Sequence, residues 1–189
     1  NNEILQKDIY LFPVKDVLMF NQDESKAKSD NGETFYRAKN PDYGATFTFY
    51  IKDAFKSLKQ SRREQEKKME KEGKPIDYPT LDQMFKEDNE DTSYLIFQIT
   101  NEDGFVCRQL THSPTKGINR INWDLCFPNT TPIEKDIQIN RYSGMHVLPG
   151  KYFVSLLKYD NGEITKLTEP QEFIVKPLNN VTLPSKDNR

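Results

Sequence analysis

The sequence predicts a mainly β protein, an antiparallel β-sandwich with one inserted helical hairpin. Three features predict it. Short runs that alternate apolar and polar residues recur about every ten residues, with turn residues between them. Pro13, Pro128, Pro149, Pro170 and Pro177 fall at the ends of those runs, where no central ladder hydrogen bond is lost. One stretch, residues 54–72, breaks the pattern: it is dominated by Lys, Arg, Glu and Gln and contains neither Pro nor Gly. The β-α-β rhythm of a parallel sheet is absent.

Taken in order, Ala45, Phe47, Phe49 and Ile51 alternate with Thr46, Thr48 and Tyr50, which is the pattern of a half-buried strand. The helical stretch follows, stopped at Gly73 with Pro75 beyond it. Thr80-Leu81-Asp82-Gln83 has capping-box spacing after Pro79, and Leu81, Met84 and Phe85 can share a face of a short second helix. The two helices form a hairpin inserted at about 54–88. Phe55, Leu58 and Met69 are the only large apolar residues of its first arm, so the hairpin should project into water. Tyr94–Thr100, the turn Asn101-Glu102-Asp103-Gly104 and Phe105–Leu110 read as a β-hairpin. Ile121, Trp123 and Leu125 alternate with Asn122 and Asp124 in the next strand. In Lys151–Tyr159, Tyr152, Val154 and Leu156 alternate with Phe153, Ser155 and Leu157. Asp160-Asn161-Gly162 suits a tight turn into return strands Glu163–Thr168 and Gln171–Val175.

The chain has 189 residues, of which 30% are charged, and a net charge of -2, so a globally basic nucleic-acid binder is excluded. Aromatics at 12% exceed what a disordered chain of this polarity carries. No apolar run reaches the ~20 residues of a membrane span, and the first residues lack the zones of a signal peptide. Starting at Asn1 without Met, the chain reads as an excised piece. Residues 21–34 are expected to be a polar loop and 179–189 a loose tail.

Enzyme chemistry leaves little trace. His112 and His146 are the only imidazoles, neither at a metal-ligand spacing, and both are expected in exposed loops. Nucleophile-elbow, phosphate-loop and zinc-protease motifs are missing. Glu102, Asp103, Asp160 and Glu163 sit at turns, whose backbone chemistry accounts for them without catalysis or calcium. Glycosidase acid pairs leave no local spacing, so sequence does not settle that class. Cys107 and Cys126 do not form a metal or disulfide framework, although both fall in predicted strands and a bridge between them stays open. Lys56, Lys59, Arg62 and Arg63 are interleaved with Glu64, Glu66, Glu70 and Glu72, which favours a solvated helix face over anion binding. Trp123, Tyr142, Tyr43, Tyr50 and Tyr94 could form a sugar-stacking surface, but the phase of Trp123 with Ile121 and Leu125 favours the core. Expected catalytic residues, metal ligands and cofactors are therefore none. Gly44 is expected to serve the turn before the Ala45 strand, and Gly150 the turn into the Tyr152 strand.

Gly117–Leu125, with its Trp123-Asp124 pair, and the later Val147-Leu148-Pro149-Gly150-Lys151-Tyr152 resemble the Ig-like domains of the flagellar-hook-capping type. There a Trp-Asp strand is followed, after a loop, by a Val-x-x-Gly-x-Tyr entry into the next strand. This resemblance implies an Ig-like or fibronectin-type sandwich with Trp123, Asp124, Gly150 and Tyr152 in structural roles. Phe35–Ala45, the Lys-rich helix, Pro79-Thr80-Leu81 and Val175-Lys176-Pro177-Leu178 are similar to the C-terminal region of secreted bacterial sortilin-like proteins, which carry BNR/Asp-box repeat propellers and are often labelled glycosyl hydrolases. The resemblance implies that residues 1–20 form the exit from a preceding propeller and that 35–178 form its Ig-like appendage. It further implies a periplasmic, cell-surface or secreted location, with the propeller, and a glycan or protein ligand, as partners. The Asp-box pattern Ser-x-Asp-x-Gly-x-x-Trp does not occur in this chain, and no catalytic motif of that family maps onto it. The expected role is a non-catalytic accessory domain, with a carbohydrate-binding module as the alternative and a hydrolase domain as a third class.

Overall fold

The computed structural model describes residues 2–20, 41–130 and 144–178. The expected polar loop at 21–34, the tail at 179–189 and Tyr142 lie outside them. The protein is a two-sheet β-sandwich with a helical hairpin inserted between strands. In chain order the elements are α1 (Asn2–Gln6), β1 (Ile9–Leu11), β2 (Val17–Met19), β3 (Ala45–Ile51), α2 (Leu58–Lys71), α3 (Leu81–Asp88), β4 (Tyr94–Asn101), β5 (Val106–His112), β6 (Gly117–Trp123), β7 (Gly150–Asp160), β8 (Glu163–Lys166) and β9 (Gln171–Pro177). Among them no helix is long and apolar enough to cross a membrane.

The front sheet has the order β1-β3-β6, and the back sheet runs β2-β9-β7-β4-β5 with β8 also on β7. The eleven residues of β7 explain that branch, because β9 pairs with its first half and β8 with its last. Asn161 and Gly162, with φ of 50° and 92°, form the tight turn between β7 and β8. All strand pairs are antiparallel except β2 with β9, which is parallel.

The segment expected to be the exit from another domain contributes two strands to the sandwich. Its β1 joins the front sheet and its β2 the back sheet, and Leu11 and Val17 enter the core. Two three-residue strands are too short to show an alternation. His112, expected in an exposed loop, ends β5 instead and meets Phe49 edge-on at 5.2 Å.

Burial follows the two-residue period. Ala45, Phe47, Phe49 and Ile51 from β3 face Leu95, Phe97 and Ile99 from β4, with Tyr152, Val154 and Leu156 from β7 beside them. Phe47 stacks on Phe97 across the sheets, their planes within 6° and their centroids 6.1 Å apart. Trp123 closes one end, edge-on to both Tyr152 and Phe173 at 5.7 and 6.2 Å.

The hairpin stands outside this core, and neither of its long helices buries a residue. Both begin with a full capping box, Ser57 with Gln60 and Thr80 with Gln83. The arms are tied by charge: Arg62 bonds Glu87 through Nε and an Nη, and its other Nη bonds Glu66. Lys59 reaches Asp88 at 3.8 Å, and Lys56 pairs with Glu64. The cationic cluster seen in the sequence is thus largely used within the hairpin. Phe55 roots it on the sandwich, half-buried against the core, with Lys158 Nζ 4.6 Å from its ring centre.

Candidate interaction face

Because β3 turns Phe47, Phe49 and Ile51 inward, it must turn Thr46, Thr48 and Tyr50 outward. Register carries that outer face across the front sheet. Tyr10, Tyr50 and Ile118 form one rung, Thr48 and Arg120 the next, Thr46 and Asn122 a third. Phe12 adds a ring edge-on to Tyr10 at 5.1 Å. With strands about 4.8 Å apart, the first rung is a continuous band of three large side chains. Ile118 is 69% exposed, and Tyr10, Phe12 and Tyr50 are half-buried.

A polar frame surrounds the band. Lys7 Nζ lies 5.1 Å from the Tyr10 ring centre, and Lys52 pairs with Asp8 at 3.7 Å. Thr46 Oγ1 donates to Asn122 Oδ1 at 3.0 Å, and Asn122 Nδ2 donates to the Tyr43 carbonyl at 2.6 Å. Arg120 is exposed and makes no ion pair among the described residues. An apolar centre with a hydrogen-bonding rim is the composition of a wet interface.

The residues singled out from the sequence are placed as follows. Trp123 is fully buried, and its indole N–H donates to the Cys126 carbonyl at 3.0 Å, so it offers no stacking face to a sugar. Asp124 caps the turn after β6 by accepting from the Cys126 backbone N–H at 3.1 Å. Tyr152 buries its ring and donates its hydroxyl to the Leu148 carbonyl at 2.7 Å, a link from strand to preceding turn used in Ig-like sandwiches. Gly44 has φ +113°, and a Cβ there would lie 1.9 Å from the Trp123 carbonyl oxygen. Gly150 is different: a Cβ would meet nothing within 4 Å and its φ is not in the left-handed region, so no turn requirement falls on it. The close approach is at Gly144, where a Cβ would stand 1.8 Å from the Phe127 carbonyl oxygen.

The tyrosines grouped by the sequence do not gather. Tyr50 lies on the front face, Tyr94 stacks on Tyr159 at 4.7 Å on the back sheet, and Tyr43 meets His146 edge-on. Tyr10, which completes the front band, belongs to a strand too short to be recognised, and Phe12 directly follows it.

A second cluster escaped the sequence reading. An isolated bridge pairs Cys126 with His146, placing Sγ 3.4 Å from Nδ1. Twenty residues separate the pair in sequence, and no local motif marks it. Cys126, expected in a strand, lies in this bridge, and both cysteines are free and buried. Thiol catalysis needs a depressed thiol pKa. Here burial pushes the Cys126 thiol up and the Asp124 charge adds to it, which holds the sulfur protonated. Burial likewise raises the Cys107 thiol and the Tyr43 and Tyr152 phenols.

No protein-family model matches the sequence, and no curated protein matches it. Among solved structures, dimeric latent PorU from Porphyromonas gingivalis is similar with a TM-score of 0.40 and 13% identity, over 71% of this chain and 8% of that one. The chain thus spans a small part of that protein's length.

Proposed function

We propose that the chain is a non-catalytic accessory β-sandwich that packs, through the outer face of its front sheet, against a neighbouring domain of the same protein, of the propeller kind that the sequence resemblance implies. The observation that supports this reading is the Tyr10-Tyr50-Ile118 rung. A solvated sheet face ordinarily presents polar side chains, whereas this rung presents two phenols and an aliphatic residue in line. Phenols suit such a contact because the ring covers apolar area while the hydroxyl keeps a wet partner. The location that accompanies this reading is periplasmic, cell-surface or secreted.

The test uses the longer parent protein, with Tyr50→Ser and Ile118→Ser introduced together. Coupled thermal unfolding of sandwich and neighbour should separate into two transitions while the sandwich keeps its own midpoint. Unchanged coupling would discard the reading. A glycan ligand is the second reading, favoured by the half-buried rings beside Arg120 and Thr48. Polysaccharide retention by the isolated chain, lost in Tyr50→Ala, would promote it. Turnover of a glycoside by the isolated chain would replace both with a hydrolase.

A further inference from the structure

The α3 arm of the hairpin carries apolar side chains that the sandwich does not use. Tyr78 is 97% exposed, Leu81 84% and Phe85 71%. Leu81 and Phe85 stand four residues apart on α3, hence on one face, and Tyr78 lies two residues before its Thr80 cap. Large apolar side chains scattered singly need no explanation, but three along one short arm of a projecting element mark a contact.

Charge narrows the occupant. Residues 58–88 carry eight Lys and Arg against eight Asp and Glu, so the hairpin as a whole attracts neither nucleic acid nor an anionic bilayer. The signs are segregated, however. Arm α2 holds six cations and three anions, whereas residues 72–88 hold two cations and five anions. Part of this imbalance is used between the arms through Arg62 with Glu87 and Lys59 with Asp88. Among the described residues, Arg63, Lys67, Lys68 and Lys71 make no ion pair, nor do Asp77 and Asp82. A surface with an apolar centre, excess cations on one arm and the carboxylates Asp77 and Asp82 on the other is complementary to itself when turned through a two-fold axis.

We propose that the hairpin is a self-association surface: two copies of this chain dock α3 against α3 through Tyr78, Leu81 and Phe85, with Asp77 and Asp82 of each beside the α2 cations of the other. Because α3 has only eight residues, about 12 Å of helix, the contact falls short of the roughly 800 Å² per partner of a standard interface and the dimer is a weak, reversible one.

Sedimentation velocity of the 189-residue chain across a wide concentration range tests this. The expected result is a concentration-dependent monomer–dimer equilibrium. Leu81→Asp with Phe85→Asp should raise its Kd by at least about tenfold while leaving thermal unfolding unchanged, since neither residue is buried. Lys67→Glu with Lys71→Glu, and separately Asp77→Lys with Asp82→Lys, should each weaken self-association, and mixing the two variants should restore a heterodimer. A chain that stays monomeric throughout, a dimer indifferent to the Leu81/Phe85 variant, or mixed variants that fail to pair would overturn the proposal. So would binding to phosphatidylserine vesicles in place of dimerisation, which would make the tip a lipid contact.

Discussion

Gly44 and Trp123 are locked together: the Gly44 α-carbon sits so close to the Trp123 carbonyl that a methyl group would fall 1.9 Å from the oxygen. Ala45 pairs directly with Trp123, so this approach is where β3 meets the end of β6. The φ of +113° adds backbone strain for any other residue. Gly44→Ala should therefore destabilise the protein by about 3 kcal/mol or more, read from the denaturant midpoint. A loss below about 1 kcal/mol would mean that the two strands part easily there.

Trp123→Ala should cost about 3–5 kcal/mol, because the ring touches Tyr152 and Phe173 from the opposite sheet and nothing nearby can fill its volume. Trp123→Phe separates packing from hydrogen bonding. It keeps much of the apolar area but leaves the Cys126 carbonyl without its indole donor, so a smaller loss of about 1–3 kcal/mol is expected. Equal losses in the two variants would show that the hydrogen bond, rather than the ring volume, holds this end of the core.

These two residues also show what a sequence can display. Trp123 and the Phe47-Phe49-Ile51 series were legible because each long strand repeats its burial every second residue. The start of α3 was legible as a cap at Thr80, whereas α2, expected from residue 54, begins only at Leu58 behind the Ser57 cap. Strands β1 and β2 were not, since three residues hold little more than one period, and their partners lie far along the chain. Gly144 hides for another reason: its need for glycine arises from Phe127, well back along the chain, while Gly150 stands in a familiar Val-x-x-Gly-x-Tyr spacing without any steric demand. The front face was half legible. Tyr50 was flagged, but its neighbours Tyr10 and Ile118 come from separate strands, and only register brings them beside it.

Acid should loosen the hairpin before the sandwich. Hydrogen bonds from Arg62 hold the Glu87 carboxyl below its usual range, and the Lys56 ammonium does the same for Glu64. A carboxyl depressed in the folded state contributes stability that is present above its unfolded pKa and is lost as pH falls through the folded value. Helical circular dichroism should thus fall in the acidic carboxylate range, ahead of the near-ultraviolet signal of buried Trp123. Arg62→Gln should shift that helix loss to higher pH. Simultaneous loss of both signals in wild-type protein would show that hairpin and sandwich unfold as one unit.

Both thiols should be slow to react. Cys107 and Cys126 are 2% and 3% exposed, and burial raises each thiol above its ordinary pKa. Iodoacetamide at neutral pH should leave both unmodified in the folded chain and label both in denaturant, as counted by intact mass. Rapid labelling of native Cys126 would mean that His146, 3.4 Å away, activates the sulfur despite its burial.

Phe49 and Tyr50 are consecutive residues with opposite tasks, and comparing them tests the division between core and outer face. Phe49 is fully buried against Phe97 and His112, and Tyr50 lies on the outward rung with Tyr10 and Ile118. Removing the first ring opens a cavity between the sheets and should cost about 3–5 kcal/mol. Removing the second takes away only cross-strand contacts on a wetted face, worth about 0.2–1 kcal/mol. Thermal unfolding of Phe49→Ala and Tyr50→Ala in the isolated chain should therefore differ widely in midpoint. Should Tyr50→Ala prove as damaging as Phe49→Ala, the outer band is a structural element of the sandwich itself, and its availability to a partner falls with it.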